Sequence, residues 1–410
     1  MAKSSTEVLI VGAGAAGIAA ARKLSDAGVD CLLVEARERL GGRAFTAHAD
    51  GYPLDLGCGW MHSADHNPWV AVAEGQGRVI DKTTPPWMRP TEQPGFPIDQ
   101  QREFRAASQA FFDKVDAAGR ETPDVAVSDL LEPNGRWNGL LSAVTTYISG
   151  GDPDQVSARD FEHYRDSEVN WRVADGYGTV IAAHAHGVPL SLGNPVQRID
   201  HSGTRLRVET AKGTIEAAQV VVALPSAIIA QSEELFAPAL PQKIDAALGL
   251  PLGLADKLFI GLDRAEEFEP NSRLFGATDT IATATYHVRP FGRPLIECYF
   301  GGRNAHALEQ GGERAFFDFV VEQLIAMYGS GFAKRLKFAA MHLWAADPFA
   351  RGSYSYAMPG RAGDRARLAA PVDGRLFFAG EACSLDYFST AHGGYLTGVA
   401  AATAILSMRS

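Results

Sequence analysis

Cysteine is scarce in this chain of 410 residues: Cys31, Cys58, Cys298 and Cys383 stand far apart with no CxxC pair, which argues against a disulfide framework and a zinc site. Surplus positive charge is missing too. The formal net charge of −10 lacks the electrostatic footprint of a nucleic-acid binder, and acid spread over a surface serves solubility first. No run of about eighteen apolar residues occurs, so no membrane span is expected. Ahead of the first strand the chain offers Lys3 but no apolar signal segment, and a cytoplasmic protein in a reducing compartment is the expectation. HExxH, the nucleophile elbow and the P-loop are absent, which leaves metalloprotease, serine hydrolase and kinase readings unsupported; His184 and His186 make no metal site by themselves.

What is there is an ordinary globular composition, 46% hydrophobic and 21% charged, in a chain long enough for two domains. Residues 7–11 form a short run rich in β-branched side chains, followed at once by Gly12-Ala13-Gly14-Ala15-Ala16-Gly17 and an alanine-rich helical pattern. In such a strand, turn and helix, Gly12 permits the turn, Gly14 lets the backbone approach a pyrophosphate and Gly17 allows close helix packing. The helix opening near Ala15 points its N-terminus at the phosphate charge. A second strand over residues 30–34 ends in Glu35, a carboxylate placed for a ribose with free hydroxyls, which favours FAD or NAD over a 2'-phosphorylated cofactor. Ala36 and Arg37 lead into a second glycine pair, Gly41 and Gly42, followed by Arg43. This run can offer backbone donors and guanidinium charge to a diphosphate.

The run from Glu35 to Arg43 resembles the second FAD signature of the flavin amine oxidase superfamily, which includes monoamine oxidases, polyamine oxidases, L-amino acid oxidases and lysine-specific histone demethylases. Asp55-Leu56-Gly57-Cys58-Gly59-Trp60-Met61-His62-Ser63, with Asn67-Pro68 after it, is most similar to the polyamine oxidase form of the following motif. The resemblance selects FAD and implies that Gly57, Gly59 and Trp60 border it and that the backbone of Val196 contacts the adenine. His62 matches an active-site histidine of polyamine oxidases, and an isolated histidine equally serves as a hydrogen-bonded structural residue.

Towards the C-terminus, residues 376–380 read as a buried strand with Glu381 at its end, and Thr390-Ala391-His392-Gly393-Gly394 starts a helix whose N-terminus suits developing negative charge. Matched to the superfamily, Gly380 and Glu381 lie at the ribityl or diphosphate part and Ala391 at the isoalloxazine. The segment from Trp344 to Ser355 resembles the flavin-facing strand, with Ser353 where monoamine oxidases carry the flavin-linking cysteine, so noncovalent FAD is expected. Tyr354 matches one wall of the aromatic cage that aligns an amine. Thr390 replaces the second wall, a feature closer to the histone demethylases, although no insertion is long enough for their helical tower. Lys257, inside an apolar strand pattern, matches the family lysine that reaches the flavin N5 through a water. Without the resemblance it would read as a snorkelling residue. Trp60, Trp171, Phe300 and Trp344 are candidates for pocket walls, with core packing the competing reading.

Together these motifs imply an α/β fold: a Rossmann-like FAD-binding domain of the glutathione-reductase type from residues 1–75, 174–246 and 347–410, interleaved with an α+β substrate-binding domain from 76–173 and 247–346. Residues 220–224 are expected as an edge strand of the first domain, and 280–288 as a strand of the second. The implied activity is removal of a hydride from the carbon beside an amine nitrogen, with dioxygen as acceptor and hydrogen peroxide and an aldehyde or ketone as products. A small-molecule amine and dioxygen are the expected partners, and a homodimer is left open. Four other readings stand. An L-amino acid oxidase wants a carboxylate-binding arginine just after Gly59, where Trp60-Met61-His62 stands; a C–C desaturase or porphyrinogen oxidase lacks the Lys257 motif; a peptidyl-lysine demethylase fits the cage residues; a noncatalytic FAD-binding module has no use for Lys257 and Tyr354.

Overall fold

In the computed structural model, which describes residues 4–232 and 234–409, the first apolar run is the strand Ser5–Val11, with Val8, Leu9 and Ile10 fully buried. Lys3 lies outside the described residues. A strand buried on both faces needs partners on both edges, and it pairs in parallel with Cys31–Val34 on one side and Gly213–Val222 on the other. Gly213–Val222 is itself central: its first half forms a hairpin with Leu206–Thr210 and its second half pairs with Leu376–Phe378. This corrects the expectation of an edge strand at residues 220–224. Val220, Val221 and Val222 are all fully buried, which requires a strand on either side and a layer over each face.

The alanine-rich helix Ala15–Asp26 packs against the C-terminal helix Ala391–Ser407 through small residues. A Cβ on Gly398 would come 2.0 Å from the Ala16 carbonyl oxygen, and one on Gly17 would come 1.8 Å from that of Gly12. A side chain at Gly398 would force the two helices apart, and one at Gly17 would push its helix off the strand and turn that precede it. The contact brings the first turns of both helices together, with Gly394 beside Ala15 and Ala16.

A second sheet is wholly antiparallel, in the order Ser272–Phe275, Thr285–Val288, Leu295–Gly301, Ala255–Leu262, Leu336–Met341. Alternation gives it two unlike faces. Leu258, Ile260, Leu274, Tyr286, Ile296, Cys298 and Phe300 point into an apolar core with Phe316, Val320 and Leu324 of the helix Gly312–Tyr328. The opposite face carries Lys257, Glu297, Tyr299, His287, Thr285 and Arg273, and looks into a cavity. Residues 280–284, expected as strand, are not: the strand begins at Thr285, and the Thr280 hydroxyl accepts from the Ala282 N–H in a local turn. Among the described residues no helix is long and apolar enough to cross a membrane.

Candidate active site

One continuous cavity of ≈1230 Å³ runs from the carboxyl ends of the Ser5–Val11 and Cys31–Val34 strands to the polar face of the second sheet. Carboxyl ends of parallel strands are where open α/β sheets hold ligands. Gly12, at φ 99°, makes the turn, and a Cβ there would sit 2.6 Å from the Ala223 carbonyl oxygen. A Cβ on Gly14 would meet nothing closer than Gly41 O at 4.0 Å, and the first turn from Ala15 holds no acidic residue, so its N–H groups keep their affinity for an anion. Glu35 is fixed by the N–H groups of Ala13 at 2.8 Å and Arg37 at 2.9 Å, one on each oxygen. That leaves acceptor capacity on both oxygens for a ribose diol. Ala36 and Val196 border the same end, and Gly17, packed in its helix, is the one expected cofactor residue that does not.

Two expectations about charge are corrected here. Arg37 and Arg43 reach the cavity, but their guanidinium groups are paired with Asp347 at 2.5 Å and Glu381 at 2.8 Å, whereas the helix N-terminus at Ala15 has no acidic partner. Glu381 is no vacant acceptor. Its oxygens take the Arg43 guanidinium, the Ser355 hydroxyl at 2.6 Å and the backbone N–H groups of Ser355 and Ser389 at 3.2 and 2.9 Å, which makes it a brace between three wall segments. Burial alone would raise its carboxyl, but Arg43, Ser355 and Arg365 hold it below the usual range. The glycine cradle, the ribose acceptor and the helix terminus fit FAD. Gly41, Gly42, Gly57, Gly59, Gly380 and Ala391 line the cavity onward to its other end.

There Lys257, 6% exposed, extends from its strand. Its ammonium lies 3.1 Å from Glu297 and donates to the Asp55 carbonyl at 3.3 Å, which leaves one of three N–H donors for the cavity. Arg172 closes on the same carboxylate at 2.9 Å, and His287 Nδ1 lies 3.7 Å away. Burial alone would raise the Glu297 carboxyl, but Arg172, Lys257 and His287 draw it well below the usual range. Burial lowers the His287 imidazole, so that side chain is neutral. Two cations around one carboxylate leave a net positive charge on this wall. Sequence reading missed Glu297 and Arg172; the available signal was a lone acid in the apolar run 295–300, the same pattern that marked Lys257.

Tyr354 donates its hydroxyl to the Tyr147 carbonyl at 2.6 Å and so receives the Tyr299 hydroxyl at 2.9 Å. Tyr299, not foreseen, is therefore the aromatic partner of Tyr354. Thr390 is corrected as a catalytic candidate: its hydroxyl donates to Tyr387 O at 2.6 Å and accepts from Gly393 N at 3.0 Å, capping the C-terminal helix. Trp344 touches the cavity, but it is 2% exposed and its indole N–H is spent on Leu56 O at 3.0 Å. Trp60 lines the wall and is stacked on His287 at 6.2 Å, whereas Phe300 belongs to the core behind the sheet and Trp171 is off the cavity wall with Lys82 over its ring. His62 lies on the cavity wall and is hydrogen-bonded through Nδ1 to Asn170 at 2.5 Å. Ser353 pins two segments, donating to Ala255 O and accepting from Ala255 N. Among the described residues no cluster of side chains is arranged to hold a metal ion.

Known proteins share this architecture. The profile of the flavin containing amine oxidoreductases matches residues 100–406, and that of NAD(P)-binding Rossmann-like domains matches residues 10–74. Polyamine oxidase 4 of Oryza sativa subsp. japonica is 27% identical over 437 residues, spanning 97% of this chain and 88% of that one. Lysine-specific histone demethylase 1 homolog 1 of the same plant is 29% identical, covering 95% of this chain but 51% of its own length. A double mutant of putrescine oxidase redesigned for cofactor binding superposes with a TM-score of 0.80 over 99% of this chain, and at 17% identity that likeness concerns the fold.

Proposed function

The chain belongs to the flavin containing amine oxidoreductases and uses FAD, and from that premise we propose that it oxidises a small-molecule amine at the carbon beside the nitrogen, giving an imine that water hydrolyses to an aldehyde or ketone, with dioxygen reduced to hydrogen peroxide. Bound FAD supplies the two-electron acceptor. The glycine turn, Glu35 and the helix N-terminus at Ala15 hold its nucleotide part. The attachment is noncovalent: Ser353 offers a hydroxyl, and burial pushes the thiol of Cys58, among the described residues the one cysteine on the cavity wall, up to about 12.

The remaining work falls to the charged and aromatic wall. An amine must be neutral to give its lone pair to the forming imine, and an apolar wall lowers the pKa of an ammonium ion by desolvation. Tyr354 and Tyr299, their hydroxyls locked to each other, present fixed ring surfaces that orient it. The third N–H of Lys257 holds a water at this wall, and the surplus positive charge of Lys257 and Arg172 favours arrival of an electron pair. This lysine, buried, paired and still carrying one free donor on the cavity side, is the observation that carries the reading.

An amine panel of mono-, di- and polyamines, amino acids and methylated lysine peptide, scored for peroxide in air and for bleaching of flavin absorbance without air, tests it. Bleaching by at least one amine is expected. A flavin that no amine reduces would overturn the proposal.

A further inference from the structure

We infer that the cavity holds a second recognition point, an anion subsite formed by Arg273 and Tyr147, and that the amine oxidised carries a carboxylate at its far end. The inference rests on the amine oxidase reading and adds the substrate class. Arg273 lines the cavity from the outermost strand of the second sheet, Ser272–Phe275. Its side chain lies over the Phe275 ring at 4.2 Å and donates through Nε to the Thr285 hydroxyl at 2.8 Å. Among the described residues no carboxylate comes within salt-bridge distance, and both terminal nitrogens lack a protein acceptor. Every other arginine discussed on this wall is paired. Beside it the buried Tyr147 hydroxyl also has no hydrogen-bond partner. Burial pushes that phenol up, against the pull of Arg273, so it remains a donor, and burial lowers Arg273 to about 10, still cationic at neutral pH. A guanidinium on the cavity wall whose terminal nitrogens have no acceptor, with a buried, unpartnered hydroxyl donor on the neighbouring Tyr147, matches a carboxylate.

Register fixes the spacing. Thr285 lies opposite Tyr299, and Tyr299 opposite Lys257, so the guanidinium held on Thr285 stands two strand steps from the lysine, about 10 Å away. An extended chain of roughly eight single bonds covers that span. Asp166 and Glu168 line the cavity near His62 at the exposed rim, so the lining offers acid there and an unpaired guanidinium at Arg273, which suits a substrate that is cationic at one end and anionic at the other. A polyamine would instead bring a second ammonium against Arg273.

The test uses the FAD-loaded protein with matched alkyl ligands of six to nine carbons, as about that length spans the gap, each ending in a methyl, an amine, a carboxylate or a phosphonate. Calorimetric binding should favour the ω-amino carboxylate at least tenfold over the diamine and the alkylamine, and Arg273→Met and Tyr147→Phe should each erase most of that preference. The kcat/KM ratio of carboxylate to plain amine should fall at least tenfold in both variants. Equal binding of all four ligands, tightest binding of the phosphonate, or a carboxylate preference intact in the variants would overturn the assignment. Turnover of the plain alkylamine reports separately on amine oxidation, so failure of that activity with carboxylate binding retained would strike the parent reading and leave the subsite standing. Tyr147→Phe keeps the ring and its packing, which holds the test open if the arginine variant does not fold.

Discussion

The ammonium of Lys257 and the carboxylate of Glu297 meet at 3.1 Å across two adjacent antiparallel strands, and the pair is closed on its other side by Arg172. This contact ties the residue to which we assign most of the chemistry to the stability of the sheet beneath it. The two roles separate by mutation.

Replacing Lys257 with methionine keeps the apolar stem and removes the charge and its donors. FAD content should stay near wild type. Either amine-driven flavin reduction or reoxidation by dioxygen should slow at least tenfold, which corresponds to about 1.4 kcal/mol in the barrier. Stopped-flow measurement of both half-reactions identifies the step; unchanged rates in both would make the lysine a structural residue.

Glu297→Gln leaves two buried cations facing a neutral amide. Loss of one partner of a buried ion pair costs about 3–5 kcal/mol, visible as a lower denaturant midpoint. The loss should be smaller than additive with Lys257→Met, because the second change removes one of the stranded charges. Since the folded carboxyl sits well below its ordinary 4.5, its contribution is present above that value and is lost as pH falls through the folded pKa. The variant should therefore lose stability on acidification less steeply than wild type.

Asp256, next to the lysine but on the opposite face, behaves in the reverse sense. Burial, with Glu309 beside it, raises its carboxyl well above the ordinary 3.8, so the folded state holds a proton that the unfolded state releases. Wild-type stability then falls by about 1.4 kcal/mol per pH unit above 3.8 until the folded pKa is reached. Asp256→Asn imitates the protonated form, and the gap in Tm between variant and wild type should widen from pH 5 to pH 8. A constant gap would contradict the assigned protonation state.

Glu35→Ala removes both anchors of the ribose end and should yield protein largely free of FAD, each charge-assisted hydrogen bond contributing on the order of 1.5–3 kcal/mol. Flavin absorbance per chain measures it. In wild type, acid precipitation should leave the yellow colour in the supernatant; colour retained by the pellet would show a covalent link.

The nucleotide end was legible in the sequence because its chemistry is local. A turn, a helix start and a carboxylate separated by short stretches of chain determine their own geometry through backbone conformation, and Gly12, Gly14 and Glu35 stand where that logic places them. Lys257 and Tyr354 were legible through their motifs. The acidic and basic partners were not: Glu297 meets Lys257 and Arg172 only once three segments, far apart in the chain, are laid together, and strand register is a long-range property. The same holds for Thr390, whose hydroxyl is claimed by the helix it starts, and for the strand at residues 220–222, which is central because a segment more than 150 positions later closes its open edge. Sequence determined the residues with chemical capacity; tertiary structure decided which of those capacities are consumed by protein partners and which, as at Lys257, Tyr147 and Arg273, stay unspent.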